Sequence, residues 1–227
     1  ISFFLFAGIS NKPSPQNNKS ESFIFGITQG VRYVFKHQVI LSAMTLDMFA
    51  VLFGGAVALL PIFAADVLKT GPQGLGILRA APALGAVIMA LVLAYYPPFA
   101  QAGKKLLWGV AGFGICIILF AVSKNFILSF VLLTFSGIFD NISVIIRSTV
   151  IQLFTPDEMR GRVASVNSIF IGSSNEIGSF ESGLAAKIMG LIPSVIFGGA
   201  MTLGIVGMTA KFAPKLRKLD LREHMKT

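Results

Sequence analysis

The chain has few of the residues on which soluble proteins and enzymes depend. Only 13% of its 227 residues are charged, and it contains one cysteine, one tryptophan and two histidines. The single cysteine, Cys116, excludes a disulfide or a thiolate metal site within this sequence. The small charged fraction leaves too little polar surface to cover a soluble protein of this length.

Catalytic motifs are also missing. His37 and His224 have no partner at the spacing of a metal site or a catalytic triad, and no phosphate-binding loop or His-Glu-x-x-His pattern occurs. We therefore expect no enzymatic activity, no cofactor and no bound metal. The net charge of +9 could favour nucleic acid, but the basic residues are scattered over short segments. Without one basic patch interleaved with aromatic residues, no nucleic-acid partner is expected.

Long apolar runs are what the sequence has instead. Hydrophobic residues make up 54% of the chain, and a helix crosses a bilayer with about 20 apolar residues. Six segments come near or exceed this length, although polar residues dilute the fifth: Val39–Ala64, Gly74–Tyr96, Leu106–Val122, Phe126–Phe154, Val163–Met189 and Leu191–Phe212. The predicted fold class is all-α, a polytopic transmembrane helix bundle with the lipid bilayer as its partner.

The segments around these spans predict the domain organisation. Residues 1–9 are apolar and are expected to be the end of a preceding transmembrane helix. Residues 10–38 are predicted to be a cytoplasmic linker with an amphipathic helix, because apolar residues recur at helical spacing from Phe23 onwards. Residues 39–212 form the six-helix bundle, and residues 213–227 form a basic cytoplasmic tail.

Basic residues indicate how the bundle lies in the membrane. If the six spans alternate, fourteen of the nineteen Lys and Arg residues lie on one side, three lie on the other and two lie within spans. Cytoplasmic loops of membrane proteins carry the excess of Lys and Arg. The linker, the loop between the fourth and fifth spans, and the tail are therefore predicted to be cytoplasmic.

Several charged side chains lie within the spans, where a central charge costs about 2.5–3.5 kcal/mol. Carboxylates at this depth commonly serve proton or ion pathways. The candidates for proton coupling are Asp140, Asp47, Glu181 and Glu176. The last two lie about 140° apart on one helix and cannot face the same cavity. Asp66 and Arg79 are instead expected to form a structural ion pair at the outer edge.

Polar stripes on two spans predict a cavity inside the bundle. The fourth span carries Ser136, Asp140, Ser143 and Arg147 on one helix face, and the fifth carries Asn167, Ser174, Gly178 and Glu181. The candidates for lining the cavity are Arg147, Asn141, Ser143, Asn167 and Ser174. For Arg147, snorkelling to the interface or a structural pair is an equal alternative.

The loop between the fourth and fifth spans concentrates charge. Thr155 is predicted to cap the next helix, with Pro156 at its first position. The candidates for a cytoplasmic latch of salt bridges to neighbouring helix ends are Asp157, Glu158, Arg160 and Arg162. The alternative is that the arginines only anchor the loop to lipid headgroups.

Five segments resemble a known family. They are Leu46–Gly55, Leu78–Pro82, Asp140–Arg147, Thr155–Val163 and Ser174–Gly183. In order and composition they resemble the C-terminal half of major facilitator superfamily transporters. Within that superfamily the likeness is to the bacterial secretion-effector branch, which includes the enterobactin exporter. It covers nearly the whole chain from about Phe23 onwards.

The resemblance implies twelve spans in two six-helix halves, with a cavity between the halves and both termini in the cytoplasm. Residues 1–9 would then end the sixth span, and the partner of this chain would be the missing N-terminal six-helix half. The implied function is secondary active transport in the bacterial cytoplasmic (inner) membrane, as proton-coupled efflux of a small amphipathic molecule that is siderophore- or drug-like. The alternative is a non-transporting membrane module, such as an anchor, a sensor or an assembly partner.

Overall fold

The computed structural model describes residues 23–224, and within this range the chain is a bundle of α-helices without a β-strand. The α-helices, in chain order, are α1 (Phe23–Lys36), α2 (Gln38–Phe53), α3 (Ala56–Ile62), α4 (Pro72–Tyr95), α5 (Ala102–Val122), α6 (Phe126–Leu153), α7 (Asp157–Met189), α8 (Leu191–Phe212), α9 (Pro214–Arg217) and α10 (Leu221–His224). A π-helical segment, Phe63–Val67, continues α3. The predicted all-α class is confirmed. The predicted end of a preceding helix, the first part of the linker and the last three residues of the tail lie outside the described residues.

Within residues 23–224, five helical segments are long and apolar enough to cross a membrane. Four are α4, α5, α6 and α8, and the fifth is the run Gln38–Val67, which comprises α2, α3 and the π-helical segment. Helix α7 has 33 residues, which span about 50 Å at 1.5 Å per residue. Its polar residues make it too polar to count among these five apolar segments, as expected for the diluted fifth span. It nevertheless packs against α2 and α8 in the same bundle.

Residues at the helix ends determine where the helices begin. Helix α6 begins after Asn125, whose side-chain oxygen accepts a hydrogen bond from the backbone N–H of Leu128 at 3.1 Å. The predicted cap of α7 at Thr155 is wrong by one residue. Pro156 takes the cap position in an extended conformation, and its carbonyl accepts a hydrogen bond from the N–H of Arg160 at 3.1 Å. Thr155 is buried instead.

The first predicted span is broken at Gly54–Gly55, between α2 and α3. A Cβ on the first glycine would lie 2.5 Å from the ring of Phe113 on α5, and one on the second would overlap the hydroxyl of Ser182 on α7. Only residues without a side chain fit where three helices approach this closely. Pro61 follows in α3, where its missing N–H removes one helical hydrogen bond shortly before the π-helical segment.

The helices enclose one hydrophobic core near each end of the bundle. The first core includes Val34, Leu106, Val150, Val163 and Leu221. The second core includes Leu60, Phe63, Leu78, Phe120 and Leu133. Helix α1, the turn 154–156 and the segment 213–224 pack on the first core, and we call that end of the bundle the basic end. The layer between the two cores is the middle of the bundle.

Helix α1 lies in the segment where an amphipathic helix is predicted, and it packs against α7. The hydroxyl of Tyr33 donates a hydrogen bond to the carbonyl of Phe154 at 2.7 Å, and burial raises the pKa of this phenol. A Cβ on Gly30 would lie 2.7 Å from the carbonyl oxygen of Arg162, and Val34 is fully buried. The helix is therefore attached to the bundle by its small and apolar face.

Candidate functional site

A cavity of about 490 Å³ lies in the middle of the bundle. Its walls come from both sides of the Gly54–Gly55 break and from α4, α5, α6 and α7. Most of the lining is small or apolar: Val51, Val57, Ala58, Pro82, Ala83, Ala86, Phe113, Ile117 and Gly137. The polar lining residues are Ser136, Asp140, Asn175 and Ser179. Among these described residues Asp140 is the one ionisable group.

Asp140 reaches the cavity because of how α6 packs. It lies near the middle of the helix, about 20 Å from either end. One turn earlier, a Cβ on Gly137 would overlap the backbone of Pro82, so α4 and α6 are in backbone contact there. The hydroxyl of Ser136 donates to the carbonyl of Leu133 at 2.7 Å and is satisfied within the helix. The carboxyl of Asp140 is thus the polar group that α6 presents to the cavity.

Helix α7 supplies the facing polar wall. The hydroxyl of Ser179 donates to the carbonyl of Asn175 at 2.8 Å, and the amide of Asn175 donates to the carbonyl of Ile171 at 3.0 Å. Ser174 and Gly178 are buried on the side of α7 that packs against α2, which turns Asn175 and Ser179 towards the cavity. Sequence reasoning missed these two residues, although their spacing of four is a polar helix-face signal.

A buried ion pair lies between the cavity and the basic end. The guanidinium of Arg147 pairs with the carboxylate of Asp47, and the two side chains are 7% and 8% exposed. Arg147 follows Asp140 by seven residues, about 10 Å along α6. The pair joins α6 to α2, the helix that ends at the break. Of the alternatives for Arg147, the structural pair is the one found in the structure.

The other side chains predicted to line this cavity do not reach it. Ser143 is buried in the interior, and Ser174 is buried with its hydroxyl donating to the carbonyl of the preceding turn at 2.7 Å. Asn141 is half-buried and, being one residue after Asp140, is rotated by about 100° away from the cavity. Asn167 lines a different cavity.

That second cavity, of about 440 Å³, lies between α6 and α7 nearer the basic end. Its polar lining consists of Ser148, Gln152, Arg160 and Asn167. Both cavities border α6 and α7, and we call the strip of these two helices that carries their polar lining residues the α6–α7 groove. Large apolar side chains are exposed on α4 and α5 (Leu84, Val87, Leu91, Ile115 and Leu119), and others are exposed on α6 and α7 outside the groove (Phe135, Ile177 and Phe180).

The remaining predicted intramembrane charges lie away from the cavity. Glu176 is exposed on α7 and Glu181 is half-buried, and neither lines the cavity. The expected ion pair between Asp66 and Arg79 is absent from the described residues, and both side chains are exposed. Arg79 follows the fully buried Leu78, so helix geometry turns it outwards. Within residues 23–224, no cluster of His, Cys, Asp and Glu could hold a metal ion.

The predicted latch is built differently from the expectation. Arg160 pairs at 2.9 Å with Asp157, one turn earlier on the same helix, and both side chains are exposed. Glu158 is also exposed. Arg162 donates a hydrogen bond to the side-chain oxygen of Gln29 on α1. The contact of Arg162 with a neighbouring helix is therefore made to the amphipathic helix α1, which sequence reasoning did not consider as a partner.

Comparison with known proteins agrees with this architecture. The profile of the transmembrane secretion effector family of the major facilitator superfamily matches residues 3–226. The chain belongs to this transporter family, which confirms the resemblance, and it is a multi-pass membrane protein. It is also similar to the multidrug efflux pump Tap of Mycolicibacterium fortuitum, with 25% identity over 204 residues. The match covers 89% of this chain and 49% of that relative, so the chain spans about half the relative's length. No solved structure gives a significant match.

Proposed function

We propose that this chain forms one half of a secondary active transporter that exports small amphipathic molecules in exchange for protons. Family membership supports transport, and the similarity to a multidrug efflux pump of Mycolicibacterium fortuitum supports efflux of drug-like molecules. A largely apolar cavity with one carboxyl, one amide and two hydroxyl side chains suits a ligand that is apolar with a few polar groups. Drug-like and siderophore-like molecules both fit that description.

The observation that carries the proposal is the position of Asp140. A carboxylate in the middle of a membrane protein is costly unless a proton, a cation or a hydrogen-bond donor offsets its charge. Among the described residues no ion pair includes Asp140, and its carboxyl opens into the cavity. We assign it the exchange of protons against substrate. Because a proton and a substrate compete for one carboxylate, binding of one favours release of the other, as antiport requires.

The other carboxylates receive lesser roles in this proposal. Asp47 is neutralised by Arg147, so we assign it the positioning of α2 against α6. Glu181 and Glu176 lie outside the cavity. Asp47 and Glu181 are the candidates for proton coupling if Asp140 does not carry it.

We assign the α6–α7 groove to contact with the N-terminal six-helix half of the transporter. Polar side chains exposed at membrane depth are tolerated where they meet protein or a water-filled cavity, and hydrocarbon would leave them unsatisfied. A second half placed over the groove would close the cavity from that side. Rocking of the two halves would then expose Asp140 to each side of the membrane in turn.

The proposed location is the bacterial cytoplasmic membrane, with the basic end and the C-terminus in the cytoplasm. The excess of Lys and Arg at this end supports the orientation, because cytoplasmic loops carry that excess.

The test uses the full-length transporter, both halves together, reconstituted in vesicles with the fluorescent amphipathic cation ethidium as the probe. Asp140→Asn keeps the size and most of the hydrogen-bonding capacity of the side chain but cannot exchange a proton. We expect it to abolish ethidium efflux driven by a pH gradient. Counterflow exchange without a gradient should persist with a weaker apparent affinity for ethidium, because the neutral side chain no longer attracts the cation while the apolar lining remains. Asp66→Asn is the matched control, because Asp66 is exposed and lies outside the cavity.

Gradient-driven efflux that survives Asp140→Asn would make Asp140 structural and move proton coupling to Asp47 or Glu181. If substitutions at all three were silent, proton antiport would be wrong. Absence of ethidium transport by the unmodified protein would contradict export of amphipathic cations and favour the non-transporting membrane module.

A further inference from the structure

The basic end carries a positively charged surface on a different side of the bundle from the α6–α7 groove. A cavity of about 490 Å³ is lined there by Lys104, Leu107 and Trp108 of α5 and by Arg217 and Lys218 of the C-terminal segment. The three cationic side chains are exposed, whereas Leu107 is buried at the floor. The cavity is therefore open to solvent and positively charged.

Backbone hydrogen bonds hold the C-terminal segment beside α5. The N–H of Gly103 donates to the carbonyl of Leu219 at 3.1 Å, and the N–H of Leu221 donates to the carbonyl of Phe99 at 3.0 Å. Leu216, Leu219 and Leu221 are buried in the core of the basic end. A Cβ on Gly103 would overlap the carbonyl oxygen of Leu216, so the segment and α5 are in backbone contact. Arg217 and Lys218 are thus kept next to Lys104 by the fold.

An apolar groove continues from the same place along the lipid-facing side of the bundle. It has a volume of about 320 Å³ and lies between α4, α5 and α6. Its lining includes Met89, Val92, Leu93, Phe139 and Ile142, with Lys105 and Tyr96 also present. Trp108 lines both this groove and the basic cavity and is 75% exposed. The two cavities therefore meet at one amphipathic side chain of the kind found at membrane interfaces.

The charges of this region are not balanced within the described residues. Lys104, Lys105, Arg217 and Lys218 contribute four positive charges at the two cavities, and Asp220, which interacts with Lys105, contributes one negative charge. That carboxylate accepts hydrogen bonds from the backbone N–H groups of Gln101 at 3.1 Å and Arg222 at 3.0 Å, which lower its pKa. One carboxylate cannot neutralise four cations, so an anion bound among them would relieve their mutual repulsion.

We propose that the basic cavity and the apolar groove together bind one anionic phospholipid, with its phosphate headgroup among Lys104, Arg217 and Lys218 and an acyl chain in the groove. Basic pockets beside transmembrane helices recognise anionic headgroups, and the adjoining apolar groove matches the tail of the same molecule. A free anion would use the cavity but not the groove. The proposal rests on membrane insertion and not on the exporter mechanism.

The test uses the fluorescence of Trp108, the single tryptophan of this chain, in the full-length protein reconstituted in phosphatidylcholine vesicles. The Trp108→Phe variant gives the background from any other tryptophan. Phosphatidylglycerol and phosphatidylcholine, each brominated on the acyl chains, are compared as quenchers at equal mole fraction. We expect phosphatidylglycerol to quench Trp108 more strongly than phosphatidylcholine does. Each of the variants Lys104→Gln, Arg217→Gln and Lys218→Gln should lower this preference about fivefold.

Arg32→Gln with Lys36→Gln is the matched control, because both residues are exposed on α1 at the same end. This variant should keep the full lipid preference. Lys104→Arg should also keep it, and this variant distinguishes loss of charge from loss of folding. Equal quenching by the two lipids, or an equal fall of the preference in the control, would overturn the proposal. Displacement of phosphatidylglycerol by excess inorganic phosphate at equal ionic strength would identify a free-anion site and also overturn it.

Discussion

The buried ion pair between Arg147 and Asp47 makes the most demanding prediction for the stability of the bundle. Arg147→Met keeps the length of the side chain but removes its charge. The carboxylate of Asp47, 8% exposed, would then remain between α2 and α6 without its cation. We expect this single replacement to destabilise the folded protein strongly, although it removes only one contact.

Two contributions decide how strongly Arg147→Met destabilises the protein: the lost contact and the charge left without a partner. Hydrogen bonds between transmembrane helices contribute about 0.6 kcal/mol on average. A buried charge that loses its partner costs about 3–5 kcal/mol, and a lone charge at the bilayer centre costs about 2.5–3.5 kcal/mol. The second effect is several times larger, so we expect Arg147→Met to lower the free energy of unfolding by about 3 kcal/mol. Adding Asp47→Leu should recover most of that loss, because both charges are then absent.

The assay is reversible unfolding of the purified full-length protein with increasing dodecyl sulfate, for both single variants and the double variant. The exposed pair of Arg160 with Asp157 is the control, and Arg160→Gln should cost less than about 0.5 kcal/mol. A loss below about 1 kcal/mol for Arg147→Met would refute the reasoning. The reasoning would also be refuted if the effects of the two single variants summed to the effect of the double variant within about 0.5 kcal/mol.

Two further predictions concern the basic end. Reporters fused after Thr227 or inserted at 17–18 should report the cytoplasm, and one inserted at 70–71 should report the outside; an external tail would overturn the orientation. Arg162→Ala should remove the hydrogen bond to Gln29 and weaken docking of α1 by roughly 1 kcal/mol, seen as faster amide exchange in α1. Arg162→Ala should slow transport more than it lowers membrane insertion, whereas Arg160→Ala should change neither much. If Arg162→Ala lowered insertion and transport equally, headgroup anchoring would be the explanation.

Hydropathy and length were sufficient to predict the bundle because a membrane helix must bury about 20 residues of apolar surface. The spans beginning near Gly74 and at Phe126 and Leu191 agree with the observed helices within two residues. Helix α7 is also predicted despite its polar residues, because the charged segment from Thr155 onwards marks the start of a helix.

The geometry of the site was harder to predict because it depends on how each helix is rotated. The periodicity places Asp140 and Arg147 on one face, but the helix packing decides that the first faces a cavity and the second faces Asp47. The break at Gly54–Gly55 depends on the approach of α5 and α7, which no local pattern specifies. The glycine pair in mid-span is the one signal of this break in the sequence, and it does not say which helices approach there.

The different surroundings of Arg147 and Asp140 follow from their chemistry. A guanidinium cannot lose its proton in a protein, so burying Arg147 requires an anion at the same depth, and Asp47 on α2 supplies it. A carboxyl has a second way to become neutral, because it can bind a proton. Asp140 opens into the cavity, and no ion pair among the described residues includes it. We therefore infer a division of tasks along α6, in which Arg147, paired with Asp47 of α2, holds two helices together and Asp140, which faces the cavity, exchanges its proton.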